Sequence, residues 1–523
     1  MTIEKDTLLG FINATTSSIW CEGTPSTSYP QLTEDINTDV AIVGAGITGI
    51  TCALLLKKQG LKVAVIDSSR IAMGATSYST AKITTQHGII YDKLITTLGM
   101  ERTQQYADAN KSALEFIRNT VKEYSIDCSL ETQDAYIYTN KQKYVSQLEK
   151  EVSASKSLGM SAEYMTEIPL PLNILCAERF PNQSQFHPRR YLLALAAVLP
   201  GDGCHIYENT RIMDLQQEGS KNVLISASGC RITCKYVFLA SHFPFCDKGG
   251  MYFTRLYPMR SYVIAAALQE KYPGGMYITA ETPGLSIRHH QHDNGDVVLF
   301  GGESHQTGQG TDTKEHYKRL LGFAQNHFTV NQVLFHWSTQ DYDTPDALPY
   351  AGCLTSSNPN VFMASGFRKW GFTNGTASAM IIRDLIINGS SPWQDAYNPQ
   401  RFTPVASSAV FIQENLDVAK NLIKGKLNPG DDTDHIPTGE ARIINMNGER
   451  VGVYRDEEGI MHTVDITCTH LGCELVWNSA EKTWDCPCHG SRFSYDGTII
   501  DGPATHKIKH MPSDTKNEID PNL

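Results

Sequence analysis

The sequence lacks three features that would point directly to a function class. No run of about 18 or more apolar residues occurs, so no segment is expected to span a membrane. There is no excess of basic residues: 45 Lys and Arg stand against 56 Asp and Glu, and the net charge of −11 argues against nucleic acid as a partner. The first residues combine no basic stretch, apolar run and small-residue cleavage site, so secretion is not expected.

Closely spaced cysteines are also scarce. Of the 13 cysteines, only Cys230 and Cys234 lie near each other outside residues 468–488, and "CRITC" reads as a strand with two thiols in a core. This usage predicts a cytoplasmic protein with mostly reduced thiols. With 523 residues, 41% hydrophobic and 19% charged, the chain is expected to form two or three globular domains.

A glycine-rich turn lies between two apolar segments near the N-terminus. "VAIVGAGITGITCALLLKKQG" predicts a strand, a tight turn and a helix from about residue 47 to 59, and a second strand ends at Asp67. Gly44 would form the turn, Gly46 would let the backbone approach a pyrophosphate, and Gly49 would allow close packing of helix on strand. Asp67 would accept a hydrogen bond from a ribose hydroxyl. The pattern predicts dinucleotide binding, with a vestigial fold as the alternative, and it does not separate FAD from NAD.

Four dispersed motifs bear on which dinucleotide is bound. They are "GATSYSTAKIT" (74–84), "FHPRRYLLALA" (186–196), "DYDTPDALPYAG" (341–352) and "ASGFRKWGFTNG" (364–375). Together with the glycine-rich turn they resemble, over roughly residues 30–400 and in family order, the FAD-dependent amine and amino-acid oxidoreductases, the family of D-amino-acid oxidase, glycine oxidase and sarcosine oxidase. The resemblance implies that the first motif wraps the flavin pyrophosphate. It also implies that the second motif precedes a strand covering the adenine, and that the last two close over the ribityl chain and the isoalloxazine.

The resemblance also implies a set of FAD contacts. Thr339 stands near the position where some relatives attach flavin through a cysteine, so FAD is expected to be non-covalent. A second glycine-rich fingerprint for NAD(P)H is not found, because "GQGTDTK" (308–314) does not open a helix after a strand, so the electron donor is expected to be a small substrate. The expected FAD contacts are Gly44, Ala45, Gly46, Ile47, Thr48, Gly49, Asp67, Ser68, Thr76, Ser79, Thr80, Lys82, Ile212, Gly366, Lys369, Trp370 and Gly371.

Substrate-binding residues are less clearly marked. "RHHQHD" (288–293) contains three histidines beside a DNG turn, where neighbouring side chains of a strand point to opposite faces, so a solvated hairpin is favoured over a metal site. Arg288 could clamp a substrate carboxylate or form a structural ion pair. His305 could act as a base or be an ordinary loop histidine.

Two cysteine–histidine clusters, "CTHLGC" and "CPCHGS", lie near the C-terminus. Each contains two cysteines and one histidine, six candidate ligands in all. One cysteine and one histidine from each, in the pattern Cys468-x-His470 and Cys486-x-x-His489, would suit a [2Fe–2S] cluster with two cysteines on one iron and two histidines on the other, although spacing alone would not exclude zinc. The surrounding residues, about 435–510, resemble the Rieske proteins of cytochrome bc complexes. The resemblance implies that Cys468 and Cys486 ligate one iron, that His470 and His489 ligate the other, and that Cys473 and Cys488 form a disulfide.

One position departs from the high-potential Rieske proteins. Two residues beyond Ser491 they carry a tyrosine whose hydroxyl binds a ligand sulfur, and this chain has Phe493. Because hydrogen bonds to sulfur raise the reduction potential, we expect a potential below that of the quinol-oxidising proteins.

These observations give an expected architecture. An α/β, Rossmann-like FAD-binding domain (segments of about 30–90, 185–245 and 340–390) with an inserted antiparallel β-rich substrate domain (about 91–184 and 246–339) would occupy residues 1–400. A linker over 401–430, a small all-β Rieske domain over 431–510 and a polar tail over 511–523 would follow.

The two expected redox groups lead to three functional hypotheses. In the main one, a dehydrogenase of an amine or amino-acid-like small molecule passes electrons from flavin through the Rieske cluster to an unknown one-electron acceptor. In the second, an external donor reduces the cluster and then the flavin, which reduces or oxygenates a substrate. In the third, the chain is a non-catalytic electron-transfer or redox-sensing protein. A Rieske oxygenase is disfavoured because no helical His/His/Asp set for a mononuclear iron is found.

Overall fold

The computed structural model describes residues 14–247, 249–292, 295–310, 312–401, 415–421, 436–446 and 448–511. The chain divides into two compact units. The larger comprises Met1–Leu256, Arg260–Ser304 and Tyr317–Ser408, and the smaller comprises Tyr257–Met259, His305–His316 and Ala409–Leu523. Most of the predicted linker (402–414 and 422–430) and nearly all of the predicted tail (512–523) lie outside the described residues.

A six-stranded sheet forms the centre of the larger unit. Alternate residues of its strand Val40–Val43 belong to two different cores, since Val40 and Ile42 pack in one and Ala41 and Val43 in the other. Burial of both faces explains why the strand reads as an unbroken apolar run. All neighbouring strands are parallel except the first pair. In spatial order the strands are Tyr350–Thr355, Asn358–Ser365, Tyr236–Leu239, Val40–Val43, Val63–Ile66 and His205–Tyr207.

Helices cover one face of this sheet. The fingerprint helix is Ile47–Lys57, two residues shorter than predicted at its end, and Gly60 follows at φ +81°. It packs closely on Gly371–Asn388, where a Cβ on Gly375 would lie 2.5 Å from the Thr48 hydroxyl. The remaining helices of the described chain are Tyr91–Leu98, Met100–Glu123, Gln142–Ser157, Pro188–Ala197, Lys314–His327 and Gln394–Tyr397, with helical residues also at 415–421 and a 3₁₀ turn at Tyr252–Thr254.

A small sheet covers the opposite face. Its strands are Ile212–Glu218, Lys221–Ser226, Arg231–Cys234 and Ile36–Asn37. Ile212, Leu224 and Ile232 of this sheet share a core with Ala41 and Val43. The α/β, Rossmann-like fold predicted from the sequence is therefore confirmed.

The predicted substrate segments supply most of a ten-stranded sheet. Most neighbouring strands are antiparallel, but Met276–Thr279 runs parallel to Glu131–Thr139 because a long stretch of chain separates them. The predicted β-rich insertion is confirmed, as a mixed sheet. In spatial order its strands are Thr15–Thr16, Val330–Asp343, Tyr257–Leu268, Gly295–Gln306, Leu285–His292, Met276–Thr279, Glu131–Thr139, Cys176–Gln185 and Lys82–Ile83, with Glu163–Met165 paired to Cys176–Gln185.

The smaller unit contains two short antiparallel sheets, as expected for a small all-β domain. One consists of Ala441–Met446, Glu449–Arg455 and Met461–Asp465, and the other of Val476–Asn478, Thr483–Asp485, Arg492–Ser494 and Ile499–Asp501. The fully buried Trp484 and Phe493 form a core with the cysteines of both predicted cluster loops. Across the described part of the chain, no helix combines the length and apolar character needed to cross a membrane.

Candidate functional site

The glycine-rich turn has the close contacts that its sequence predicts. Gly44 has φ +111°, and a Cβ there would lie 2.4 Å from the carbonyl oxygen of Ala240. A Cβ on Gly49 would lie 1.9 Å from the carbonyl oxygen of Gly44. Gly46 is the N-cap of the helix, so the positive helix end and the side-chain-free backbone lie together. This arrangement fits the pyrophosphate of a dinucleotide.

Two side chains already bind backbone N–H groups of this turn. The Thr76 hydroxyl accepts a hydrogen bond from the Ile47 N–H at 3.1 Å, which ties the predicted pyrophosphate segment to the helix start. The Asp67 carboxylate accepts from the N–H groups of Ala45 at 2.7 Å and Ser69 at 2.8 Å. Burial raises the pKa of Asp67 against the effect of these two donors. Its contact with a ribose hydroxyl stays a prediction, and spare lone pairs on both oxygens are compatible with it.

The segment after the second strand is held by a buried arginine. Arg288 is 1% exposed and donates to the carbonyl oxygens of Thr80 at 3.1 Å, Ala81 at 2.7 Å and His289 at 2.9 Å. Burial lowers its pKa to about 9. These bonds give the guanidinium a structural role as a brace, and its predicted contact with a substrate carboxylate gains no support from them.

Two lysines predicted to contact FAD are close enough to influence each other. Lys82 follows Ala81 directly and has the Thr80 hydroxyl 3.4 Å from its Nζ. Burial, Arg288 and Lys369 lower the pKa of Lys82 to about 7. Desolvation also lowers the pKa of Lys369, against the opposing charges of Asp343 and Asp341, although this residue is exposed and Lys82 is half-buried. Two neighbouring ammonium groups favour an anionic ligand.

The loop before the helix Gly371–Asn388 has an unusual backbone. Gly366, Arg368 and Lys369 have φ values of +77°, +50° and +73°. The Asp341 carboxylate accepts a hydrogen bond from the Lys369 N–H, and the Arg368 N–H donates to the carbonyl oxygen of Tyr342 at 3.3 Å. Left-handed residues other than glycine persist where neighbouring groups hold them, and such positions concentrate at functional sites.

His87 supports this loop and was missed at the sequence level. Its ring stacks on Trp370 with the centroids 4.9 Å apart. Its Nδ1 lies 2.5 Å from the Tyr106 hydroxyl, and its Nε2 lies 2.8 Å from the carbonyl oxygen of Thr84. The only local signal was a polar residue in "TTQHG" (84–88), which does not show that Trp370 lies opposite.

The other predicted FAD contacts are spread over several elements. Thr48 is buried in the first turn of the fingerprint helix, and Ser68 is exposed after Asp67. Ile212 is 4% exposed and packs in the core beneath the small sheet. The Ser79 hydroxyl donates to the carbonyl oxygen of Thr76. Their contacts with FAD stay predictions.

The two C-terminal cluster loops are brought together. The rings of His470 and His489 are 5.1 Å apart and nearly perpendicular. Cys468 and Cys486 are buried, and their sulfurs are within hydrogen-bonding reach of each other. A pair of thiolate donors beside a pair of imidazole donors fits the ligand set of a Rieske cluster.

The remaining two cysteines of these loops are linked. Cys473 and Cys488 form a disulfide. The sulfurs of Cys473, Cys486 and Cys488 come within 4.8 Å of one another and could by distance alone hold a metal. Sulfur in a disulfide is not a thiolate, so this trio is not a separate metal site. The disulfide joins the two loops that carry the predicted ligands.

Hydrogen-bond donors surround the ligand sulfurs. The Cys468 sulfur accepts from the Ser491 hydroxyl and from the N–H groups of His470 and Leu471. The Cys486 sulfur accepts from the N–H groups of Cys488 and His489. Phe493 is fully buried in the same core but has no hydroxyl to donate.

The histidines singled out elsewhere do not form a metal site. The strands Leu285–His292 and Gly295–Gln306 pair antiparallel, with His292 opposite Gly295, and residues 293 and 294 lie outside the described residues. His289 contacts Glu131 at 3.4 Å, whereas the ring of His290 packs on Trp20. Among the described residues of this hairpin, no three side chains lie at metal-binding distances from one another.

His305 lies in the smaller unit, where its ring stacks on His316 at 4.5 Å. This placement does not support its predicted contact with substrate.

Comparison with known proteins agrees with this geometry. The model of the FAD dependent oxidoreductase family matches residues 39–385, and the model of the Rieske [2Fe-2S] domain matches residues 428–512. The "Putative Rieske 2Fe-2S iron-sulfur protein YhfW" of Bacillus subtilis (strain 168) is 39% identical over 96% of this chain and 99% of its own length.

Two solved structures share the fold of the larger part of the chain. Glycine oxidase from Geobacillus kaustophilus aligns with a TM-score of 0.60 and 18% identity over 70% of this chain and 99% of that one. L-proline dehydrogenase from P. horikoshii aligns with a TM-score of 0.59 and 19% identity over 71% of this chain and 98% of that one. The chain is an FAD- and [2Fe-2S]-containing enzyme that belongs to the FAD dependent oxidoreductase family and carries a C-terminal Rieske domain.

Proposed function

We propose that this oxidoreductase is a dehydrogenase of a small amine or amino-acid-like molecule that delivers electrons through its Rieske domain to a one-electron acceptor. One observation carries the proposal. A single chain combines a dinucleotide-binding turn, in which Gly44 and Gly49 leave no room for a side chain, with paired Cys–His loops that fit a Rieske cluster. When bound, FAD supplies a two-electron acceptor and the cluster a one-electron carrier.

Proteins with the same fold support the substrate class. The names of two of them, glycine oxidase and L-proline dehydrogenase, specify amino acids.

We assign the predicted site residues to matching tasks. Gly44, Gly46 and the start of the helix Ile47–Lys57 bind the FAD pyrophosphate, and Asp67 binds the ribose. Asp341 and His87 hold the loop 366–371 in place. Cys468, His470, Cys486 and His489 are the cluster ligands, and the Cys473–Cys488 disulfide holds their loops together.

The test uses the full-length protein loaded with both groups. A panel of amino acids and primary and secondary amines is mixed anaerobically with the protein, while flavin absorbance and the EPR signal of the reduced cluster are recorded. We expect at least one compound to bleach the flavin, and the EPR signal to follow. A Cys468→Ser variant, which lacks one ligand, should retain flavin bleaching and lose the EPR signal.

Two outcomes would contradict the proposal. If a reduced one-electron donor such as ferredoxin reduces the cluster and then the flavin, while no compound of the panel bleaches the flavin, electrons enter through the cluster. If neither the panel nor such a donor reduces the flavin, the chain does not turn over a small molecule of this class.

A further inference from the structure

Residues 305–316, called here the loop 305–316, connect the strand Gly295–Gln306 to the helix Lys314–His327. Their sequence lies inside the range matched by the FAD dependent oxidoreductase family, yet they belong to the smaller unit. The first and last residues of the loop, His305 and His316, stack with their rings 4.5 Å apart and 2° from parallel. The fully buried Thr307 donates its N–H to the carbonyl oxygen of Pro258 at 3.0 Å. The ends of the loop are therefore fixed, although Thr311 lies outside the described residues.

Gly308 of this loop packs backbone to backbone on the second cluster loop. It has φ +70°, and a Cβ there would lie 2.7 Å from both the N and the Cα of Pro487 and 3.1 Å from the carbonyl carbon of Cys486. Distances under 3.0 Å are essentially never seen for real Cβ atoms, and backbone cannot rotate away as a flexible side chain would. Any larger residue at position 308 must therefore displace Pro487.

Pro487 lies in sequence between Cys486 and the two residues whose N–H groups bind the Cys486 sulfur. The N–H groups of Cys488 and His489, directly after Pro487, donate hydrogen bonds to that sulfur. Such bonds stabilise the added negative charge of the reduced cluster and raise its potential. The position of Pro487 thus bears on the cluster through these two donors.

A second contact of the same loop leads to the same cysteine. The Thr313 hydroxyl donates to the Asn478 side-chain oxygen at 2.7 Å and accepts from the Ala480 N–H at 3.0 Å. The Asn478 amide in turn donates to the Asp485 carboxylate at 2.9 Å. Asp485 immediately precedes Cys486. Asp312 also accepts a hydrogen bond from the Ser479 hydroxyl at 2.8 Å.

We propose that the loop 305–316 positions the second cluster loop, with Gly308 and Thr313 as positioning residues for the Rieske centre. Gly308 contacts Pro487 on one side. On the other side Thr313 binds Asn478, which in turn binds Asp485. The loop thereby fixes the N–H donors around the Cys486 sulfur. This segment matches the FAD dependent oxidoreductase family, whose name mentions no iron–sulfur cluster. The proposed positioning of a cluster loop is therefore a task added to the flavin-binding fold.

The test compares two glycines of the loop in the full-length protein. Gly308→Ala forces the contact with Pro487, whereas Gly310→Ala places a side chain at φ +99° with no atom within 4 Å. Both substitutions strain the backbone, and φ +99° lies further from the left-handed minimum than φ +70°, so strain alone would affect Gly310→Ala at least as much. Chemical redox titration followed by EPR should show a lower midpoint potential and altered g-values for Gly308→Ala. Gly310→Ala should match the wild type, and the flavin absorbance spectrum should be the same in all three proteins.

Thr313→Val tests the second contact without a change in size. It removes the hydroxyl that binds Asn478 and Ala480, and we expect a smaller shift of the midpoint potential in the same direction. If Gly308→Ala fails to retain its cluster, the midpoint potential of Thr313→Val tests the proposal in its place. The proposal is overturned if both variants titrate like the wild type, if their potentials rise, or if Gly310→Ala shows the same shift as Gly308→Ala. The titration needs no substrate, so its outcome is independent of the function proposed above.

Discussion

The ring of His87 stacks on the ring of Trp370, and the same imidazole binds the Tyr106 hydroxyl and the Thr84 carbonyl oxygen. Burial lowers the pKa of His87 to about 3, so the imidazole is neutral throughout the physiological range. It therefore supports the Trp370 loop by packing and hydrogen bonding, without adding charge.

Substitutions of His87 separate the contribution of ring packing from that of hydrogen bonding. We expect His87→Ala to lower the free energy of unfolding by about 2–4 kcal/mol, since it leaves a cavity and unpaired polar groups. FAD should also dissociate faster because the loop 366–371 loses its support. His87→Phe keeps a ring for stacking and should retain more of the FAD than His87→Ala. Denaturation curves and the release of FAD fluorescence measure both effects, and equal behaviour of the two variants would contradict a role for stacking.

Lys82 makes FAD binding dependent on pH. Its pKa is lowered to about 7 in the free protein, and an anionic pyrophosphate nearby would raise it again, so FAD binds together with a proton. FAD affinity should therefore fall as the pH rises above 7, by at most about tenfold per pH unit. Titration of FAD-free protein at pH 6 and pH 8.5 measures this change. The dependence should disappear in Lys82→Met, and a wild-type affinity that does not vary with pH would exclude the effect.

Local patterns in the sequence were enough to predict those parts of the site that lie on short stretches of chain. The turn at Gly44–Gly49 could be predicted because neighbouring residues fix its backbone, and the sequence shows directly that each cluster loop offers two cysteines and one histidine. Ser491 and Phe493 could be interpreted for the same reason.

Contacts between distant parts of the chain could not be predicted in this way. His87 lies opposite Trp370 only after the helices have packed, and Gly308 needs a bare backbone only because Pro487 lies against it. The sequence left Arg288 open between a carboxylate clamp and a structural ion pair, since it does not show that the guanidinium would bind the backbone carbonyls of Thr80 and Ala81.

Glu178 should make the stability of the larger unit depend on pH. It is fully buried, and burial together with Glu151 raises its pKa to about 8, against the opposing effect of the Ser155 hydroxyl. A carboxyl group with a raised pKa favours the folded state most at low pH, and this contribution is lost as the pH rises from about 4.5 to about 8.

Glu178→Gln has no carboxyl group to ionise, so the variant should not lose this stability as the pH rises. The melting temperature of the variant should exceed that of the wild type by an amount that grows between pH 5 and pH 8, corresponding to at most a few kcal/mol. Glu151→Gln is the contrasting variant, because the Glu151 carboxylate accepts hydrogen bonds from the N–H groups of Ile90, Tyr91 and Asp92. It should lower the melting temperature. A constant difference between Glu178→Gln and the wild type would show that Glu178 does not titrate in this range.

Ser491 and Phe493 should move the cluster potential in opposite directions. Ser491 donates a hydrogen bond to the Cys468 sulfur, so Ser491→Ala removes a bond that favours the reduced cluster and should lower the midpoint potential. Phe493 lies fully buried in the core that contains Cys468 and Cys486, so Phe493→Tyr can place a hydroxyl beside the ligands without leaving a cavity. We expect it to raise the potential.

The size of each shift follows from the strength of the hydrogen bond. A bond that is about 1.5 kcal/mol stronger in the reduced state corresponds to roughly 60 mV for a one-electron couple. Redox titration of the full-length protein by EPR measures both variants, with Phe493→Leu as the control for a change of side chain without a hydroxyl. If Phe493→Tyr and Phe493→Leu shift the potential equally, the hydroxyl does not reach a sulfur.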